Sequence, residues 1–534
     1  MRSILKWTGR NTCGGQTGIS GPFARAGAAW LVACCVLAAC TACQPAASKP
    51  PAATSASPDE NVQVDRELWN ACYIRDAKVG YERTTFSRLT RDGQPLVRIE
   101  GLVHLSVTRF RESTESDISF SSLETPDGKV LEFEGRVAAG IMPLVTRGRV
   151  VGDRLEVETV TQGKTVTTTN RWLPEYGGFF AVEQSLLRKP MQPHQSRKVY
   201  SLVSGTDQVA TVELTARDFE PVKLPGGNYD LLRIDTVLKL PDGQTLTETA
   251  WADRTGEVLR RRSEAMSLES FRVPKEVALE KSEAVKFDLG KDLCVPVDRA
   301  LPSPHATKRI RYRLQLEGGD PAAAFVSGYS QRVRSLDPHT AEVTVYAVRP
   351  DTAAANPDAV DDPPTEDDRA PNNLIQSDNS KIVAVAAEAV GDEKDPWRVA
   401  LALESRVKKL ITKKDYTQAF ASAADVVQSN AGDCTEHAVL LAALARARGV
   451  PARVAIGLVY VEQEGKSQFA YHMWNELCIG KHWIPMDATL AQGGIGAAHL
   501  KIARSTLKGA SAFSSFLPVA HVAGRLKIVI EEVE

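Results

Sequence analysis

The stretch NAGDCTEHAVLLAALARARGVPARVAIGLVY, followed shortly by FAYHMWNELCIGKHWIPMDATL, constrains this chain more than any other part of it. It couples a mostly apolar helix to two strand-like runs, and it carries a cysteine, a histidine and an aspartate in fixed order. Asp433-Cys434-Thr435-Glu436 fits a capping box, with Asp433 as N-cap and Glu436 at the third helical position. Cys434 then falls in the first turn, where unpaired amide N–H groups and the positive helix end favour a thiolate. The run AVLLAALARA is apolar over much of its surface, so this helix is expected to be buried, and Gly449-Val450-Pro451 ends it.

The run ARVAIGLVYV reads as a β-strand, and the next strand begins near Phe469. With period two, His472, Trp474, Glu476 and Cys478 share one face, and Met473, Asn475 and Leu477 take the other. A short Gly480-Lys481 turn then lets Asp487 lie beside His472 on an adjacent strand. This is the order that a thiol nucleophile, its base and the base's orienting carboxylate need. An oxyanion hole is required as well: the Cys434 backbone N–H is a natural first donor, and Gln428 or Asn430 are candidates for a second, although polar residues before a helix more often cap or turn. His437 lies one turn after Cys434 and points beside it, which suits packing better than catalysis. Trp474 and Trp483 fit either the cleft lining or the core.

Together, GDCTEHAVLLAALARARGVPARV and HMWNELCIGKHWIPMDAT resemble the core of the transglutaminase-like superfamily, whose members share a papain-like fold. The cysteine at the helix start, the G-V-P-A-R strand entry, H-x-W and W-x-x-x-D occur in that family's order, with the three key positions 38 and 15 residues apart. The resemblance covers roughly residues 381–492. It implies a Cys-His-Asp triad on Cys434, His472 and Asp487, acting on amide bonds through a thioester resolved by water or by an amine. No cofactor is implied, and no metal: beyond Cys434 and His437 there is no second pair at zinc-ligand spacing.

The rest of the chain sets the context. Its 534 residues suggest two to four domains, and Lys+Arg of 65 against Asp+Glu of 66 gives no global field toward nucleic acid or an anionic membrane. Arg25 precedes AGAAWLVACCVLAAC, an apolar stretch of signal length, so residues 1–39 read as a targeting segment. Leu37-Ala38-Ala39-Cys40 resembles the lipobox of bacterial lipoproteins, with Cys40 as the lipidated residue. An ordinary cleaved signal peptide or an upstream mis-assigned start is the alternative. Residues 40–63 read as a Pro/Ala/Ser tether. Thr41, where inner-membrane retention favours aspartate, points to the periplasmic face of the outer membrane.

Residues 64–290 alternate in short runs divided by turn signals, namely Asp92-Gly93, Asp127-Gly128, Asp242-Gly243 and Thr255-Gly256, which predicts a mainly antiparallel β domain. A curved sheet or a sandwich fits, with a concave face able to hold an apolar or peptide ligand. Cys72 and Cys294 sit near the two ends of this region; an exported chain can bridge them, or they are two small buried thiols. Residues 291–350 suggest a small β module, 351–374 an exposed acidic linker, 375–500 the transglutaminase-like domain of α+β, papain-like class, and 501–534 an extension with one strand.

Two functions follow. One is an envelope-anchored thiol enzyme, a protease, amidase or acyltransferase, with protein or peptide substrates. The other is a non-catalytic lipoprotein whose two domains bind a partner.

Overall fold

The computed structural model describes residues 62–534 apart from 75, 110–111, 139–143, 162–163, 204–207, 242–244, 264–266, 282–286, 351–355, 415–420 and 509–515. The signal segment, nearly all of the tether, Cys40 and the Asp242-Gly243 turn lie outside the described residues.

The N-terminal region is one sheet of fifteen strands, antiparallel throughout except where Ser196–Leu202 runs parallel to Tyr176–Gly177. The eight strands up to Lys164–Arg171 lie beside their sequence neighbours, and so do the seven from Tyr176–Gly177 onward. The two runs join where Gln63–Ile74 pairs with Leu268–Arg272. Asp92 and Gly93 both have positive φ, at 53° and 74°, and form a two-residue hairpin between Arg91 and its partner Gln94.

The two halves share one core. Leu155 and Val157 from the first half meet the same cluster as Val212 and Ile234 from the second. Phe179 and Phe180, fully buried, pack against Phe120 at the start of the helix Ala181–Arg188. That helix adds Leu186 to the shared core. It also carries Glu183 into contact with buried Arg261, an ion pair that compensates both desolvated charges.

Cys72 and Cys294 are separate free thiols, which corrects the proposed bridge. Cys72 is 1% exposed near the C-terminal end of its strand, between Gly80 and Ser270 on the two neighbouring strands. Cys294 follows the short helix Leu289–Asp292 and donates its S–H to the Gly290 carbonyl at 3.2 Å. Burial, then Asp288 and Asp292, push its thiol up to about 11.

The C-terminal region is α+β. One sheet runs Val295–Pro296, Lys466–Ile479, Ala452–Gln463, His499–Ser505, with His482–Met486 also paired to Lys466–Ile479. A second runs Gln331–Asp337, Thr340–Tyr346, Arg309–Leu316, Leu526–Val533, so the C-terminal strand completes a sheet begun over two hundred positions earlier. Both sheets and the helices Ser380–Val390, Pro396–Leu410, Ala423–Ser429 and Cys434–Ala447 bury one continuous core.

The acidic stretch is fastened to this region, which corrects the exposed-linker reading over its described part. Asp362 pairs with Arg453 at 2.8 Å and Arg504 at 2.6 Å, and its carbonyl accepts from the Trp483 indole at 2.8 Å. Asp361 accepts from the Trp483 backbone N–H at 3.1 Å. Composition suggested a solvated face because the cations that oppose it come from strands about a hundred residues away.

Candidate active site

The helix Cys434–Ala447 begins as a closed capping box. Asp433 Oδ1 accepts from Thr435 N at 2.7 Å, and Glu436 Oε2 accepts from Asp433 N at 2.9 Å. Glu436 is fully buried and also takes the Ala421 N–H at 3.1 Å; burial and then Asp433 raise its carboxyl well above the usual range. The box uses the amides of Thr435 and Glu436 and leaves the Cys434 N–H at the open helix end. Behind it, Val439 to Ala445 are completely buried, which holds the thiol's base rigid.

The helix is fixed to the histidine strand by the Asn475 amide, which donates to the Ala438 carbonyl at 2.8 Å. On that strand, Lys466–Ile479, His472 pairs with Gly457 of Ala452–Gln463. A Cβ at Gly457 would lie 2.0 Å from the Leu500 carbonyl oxygen and 2.9 Å from the Trp474 ring. Only glycine there lets the strand His499–Ser505 and the indole close in beside His472, whose ring lies 6.1 Å from Trp474 in a stacked arrangement.

His472 Nε2 bonds Asp487 Oδ2 at 2.9 Å, and both side chains are almost wholly shielded. Its thiol neighbour is Cys434, close enough to act on the charge of the ring. Burial works against a charged ring, yet Asp487 and then Cys434 outweigh it and push His472 up to about 10. Burial likewise works against charge on Asp487, but His472 and His499 hold its carboxyl well below the ordinary carboxylate range. Asp487 follows directly on the strand His482–Met486, and its Oδ1 caps the next turn by accepting from Thr489 N at 2.8 Å. The structure therefore brings Cys434, His472 and Asp487 into one chain of contacts.

The other sequence candidates are elsewhere. Asn430 is the left-handed C-cap of the helix Ala423–Ser429, at φ 53°, and its carbonyl accepts from Thr412 and Lys413. Gln428 is exposed on the last turn of that helix, and neither side chain makes a hydrogen bond among the described residues. The capping demand of a short helix accounts for the backbone conformation of Asn430. His437 bonds the Asp433 carbonyl through Nδ1 at 2.5 Å and is packing. Trp483 is 1% exposed under the Arg453 guanidinium, 3.8 Å from its ring centroid, so it belongs to the core.

Two residues escaped the sequence reading. Glu404, on the helix Pro396–Leu410, accepts from Gly493 N at 2.9 Å and Gly494 N at 3.4 Å and so ties down the loop after Asp487. Gly494 has φ 110°, and a Cβ there would lie 2.0 Å from the Val348 carbonyl oxygen. Burial pushes Glu404 up to about 7, against the pull of the two glycine amides. The second is His499, fully buried, whose Nε2 bonds the same Asp487 Oδ2 at 3.0 Å. No local motif marks it; only the pairing of Val459 with His499 brings it in. His472, Asp487 and His499 also hold metal-ligand atoms within 4.8 Å of one another. The 2.9 and 3.0 Å nitrogen-to-oxygen separations from Asp487 Oδ2 to the two imidazoles are hydrogen-bond lengths, and they link the three side chains into one network.

Residues 383–488, which carry the helix of Cys434 and the strand of His472, match the family model described as the transglutaminase-like superfamily. The C-terminal α+β region of the chain thus contains a transglutaminase-like domain. No curated protein matches the sequence. Among solved structures, the chain is similar to a candidate cysteine protease from Cytophaga hutchinsonii, at 18% identity, with 43% of this chain and 85% of that one covered and a TM-score of 0.27. It is similar to a β-barrel-like protein of the unknown-function domain DUF1849 from Brucella abortus, at 8% identity, 39% and 94% coverage and a TM-score of 0.28. It is also similar to the periplasmic domain of TgpA from Pseudomonas aeruginosa, at 17% identity, 39% and 87% coverage and a TM-score of 0.25.

Proposed function

We propose that the chain is a thiol enzyme that cleaves or exchanges amide bonds of peptides or isopeptides through a thioester on Cys434. The observation that carries this reading is the hydrogen bond of His472 to buried Asp487, with Cys434 near enough to act on the same ring. With Asp487 accepting from Nε2–H, Nδ1 is the ring nitrogen left to take the proton of the thiol. The sulfur of Cys434 attacks the carbonyl carbon, and the Cys434 N–H at the open helix end donates to the developing oxyanion. The C–N bond then breaks as His472 returns the proton to the leaving nitrogen, releasing ammonia or an amine. Water or a second amine adds to the thioester, giving a carboxylic acid or a new amide and restoring the thiol.

Location is part of the proposal. Lipid on Cys40, followed by the Pro/Ala/Ser tether, holds the domain at the periplasmic face of the outer membrane, which makes envelope protein the substrate class. No helix among the described residues is long and apolar enough to cross a membrane. Cys40→Ala is expected to release the protein from the membrane fraction with its amide turnover intact; retention on the membrane would overturn the anchor. For the chemistry, Cys434→Ala is expected to lower turnover of a glutamine-containing peptide by about 10³- to 10⁶-fold. Turnover that survives this substitution would exclude the thiol mechanism.

A further inference from the structure

Asp487 Oδ2 is shared by two imidazoles, His472 at 2.9 Å and His499 at 3.0 Å, and the triad accounts for only the first. The two rings have opposite surroundings. His472 meets the thiol. His499 is fully buried, packed edge-on against the Trp474 ring at 5.2 Å and against the His305 ring at 5.9 Å. Its Nδ1 makes no hydrogen bond of full geometry among the described residues, although the Gly496 backbone beside it favours the charged ring against the larger effect of burial. A neutral ring in this setting carries its single proton on Nε2, where the carboxylate accepts it.

We propose that His499 is a positioning residue for the thiol chemistry, a neutral donor that pins Asp487 Oδ2 against His472 and leaves His472 alone to take the second proton. The inference rests on the amide-cleaving reading above. The groups around the ring agree with it. Burial keeps His499 below the ordinary histidine range, and burial with His499 keeps His305 down at about 4, so neither competes with His472 for charge. Arg349 is occupied with the His305 carbonyl and Gln492, Lys501 on the same strand with buried Glu476, and Glu404 with the loop amides. Two titratable rings on one oxygen are thereby driven apart, one fixed neutral and one able to charge.

The geometry also says why a second donor is needed. Oδ1 is engaged by the backbone of Thr489 and Leu490, at 2.8 and 3.3 Å. His472 alone would leave Oδ2 with one side-chain donor; His499 supplies the second, so that both oxygens of the carboxylate are held by two donors each.

The test uses the full chain and two variants. His499→Phe keeps the ring volume and removes the donor, whereas His499→Gln keeps a terminal N–H close to the Nε2 position. We expect His499→Phe to lower kcat about 10- to 100-fold with KM changed less than about threefold, and His499→Gln to restore most of the loss. Wild-type kcat in a folded His499→Phe, or equal losses in both variants, would overturn the proposal. Should His499→Phe not fold, ¹⁵N NMR of the wild-type histidines decides. The expected signature is a neutral Nε2–H tautomer for His499 throughout neutral pH beside a doubly protonated His472; a titrating or Nδ1–H His499 would overturn it. That spectrum is independent of turnover, so failure of the amide-cleaving reading, seen as activity in Cys434→Ala, is separable from failure of this one.

Discussion

At the scale of single residues, electrostatics decides the behaviour of the site. His472 is held charged by Asp487 and Cys434 against burial, up to about 10. Its ring is expected to stay protonated through neutral pH in ¹⁵N NMR and to lose the proton near 10. Cys434→Ala, by removing the sulfur's contribution, is expected to move that loss to lower pH; an unmoved titration would separate the thiol from the ring. Glu404 gives a stability prediction of definite sign. Its folded value of about 7 lies above the ordinary glutamate value of 4.5, so its contribution is fully present below 4.5 and is lost as pH rises through 7. Glu404→Gln is expected to flatten the fall of Tm across that window, as read by calorimetry. Cys434, His472 and Asp487 were legible in the sequence because one capped helix and one short hairpin hold all three in local register. His499 was not, because its contact with Asp487 depends on a strand pairing that follows a glycine-rich loop.

At the scale of elements, the cysteine helix depends on its first turn. Asp433→Ala removes the acceptor for Thr435 N and half of the reciprocal pair with Glu436. The expected cost is about 1–2 kcal/mol, read as a lower midpoint in urea. Gly457→Ala is expected to cost more activity than its size suggests, since the added methyl strikes the Leu500 carbonyl and the indole beside His472; crystallography of the variant would show Trp474 displaced. Hairpins with Asp-Gly turns could be read directly, because positive φ at Asp92 and Gly93 is a local demand. The acidic stretch misled for the opposite reason: whether an aspartate is solvated or paired depends on what faces it, and Arg453 and Arg504 are remote in sequence.

For the whole molecule, the two regions meet next to the catalytic candidate. Tyr471, adjacent to His472, packs against the cores of both the fifteen-stranded sheet and the C-terminal region. Its hydroxyl is buried without a hydrogen-bond partner among the described residues. Tyr471→Phe is therefore expected to be neutral or stabilising by up to about 1 kcal/mol, and Tyr471→Ala to cost about 3–5 kcal/mol, both read from denaturant midpoints. An antiparallel β region was evident in the alternating runs. Its closure into one sheet was not, because the pairing of Asn70 with Arg272 joins strands some two hundred residues apart and no local pattern encodes it. The central claim, that Cys434 carries the acyl group, is tested most directly by intact-mass spectrometry of the full chain mixed with a glutamine-containing peptide. A transient adduct equal to the peptide less ammonia is expected, mapped to Cys434 and discharged by added amine; turnover without any adduct, undiminished in Cys434→Ala, would rule out the acyl-thiol intermediate.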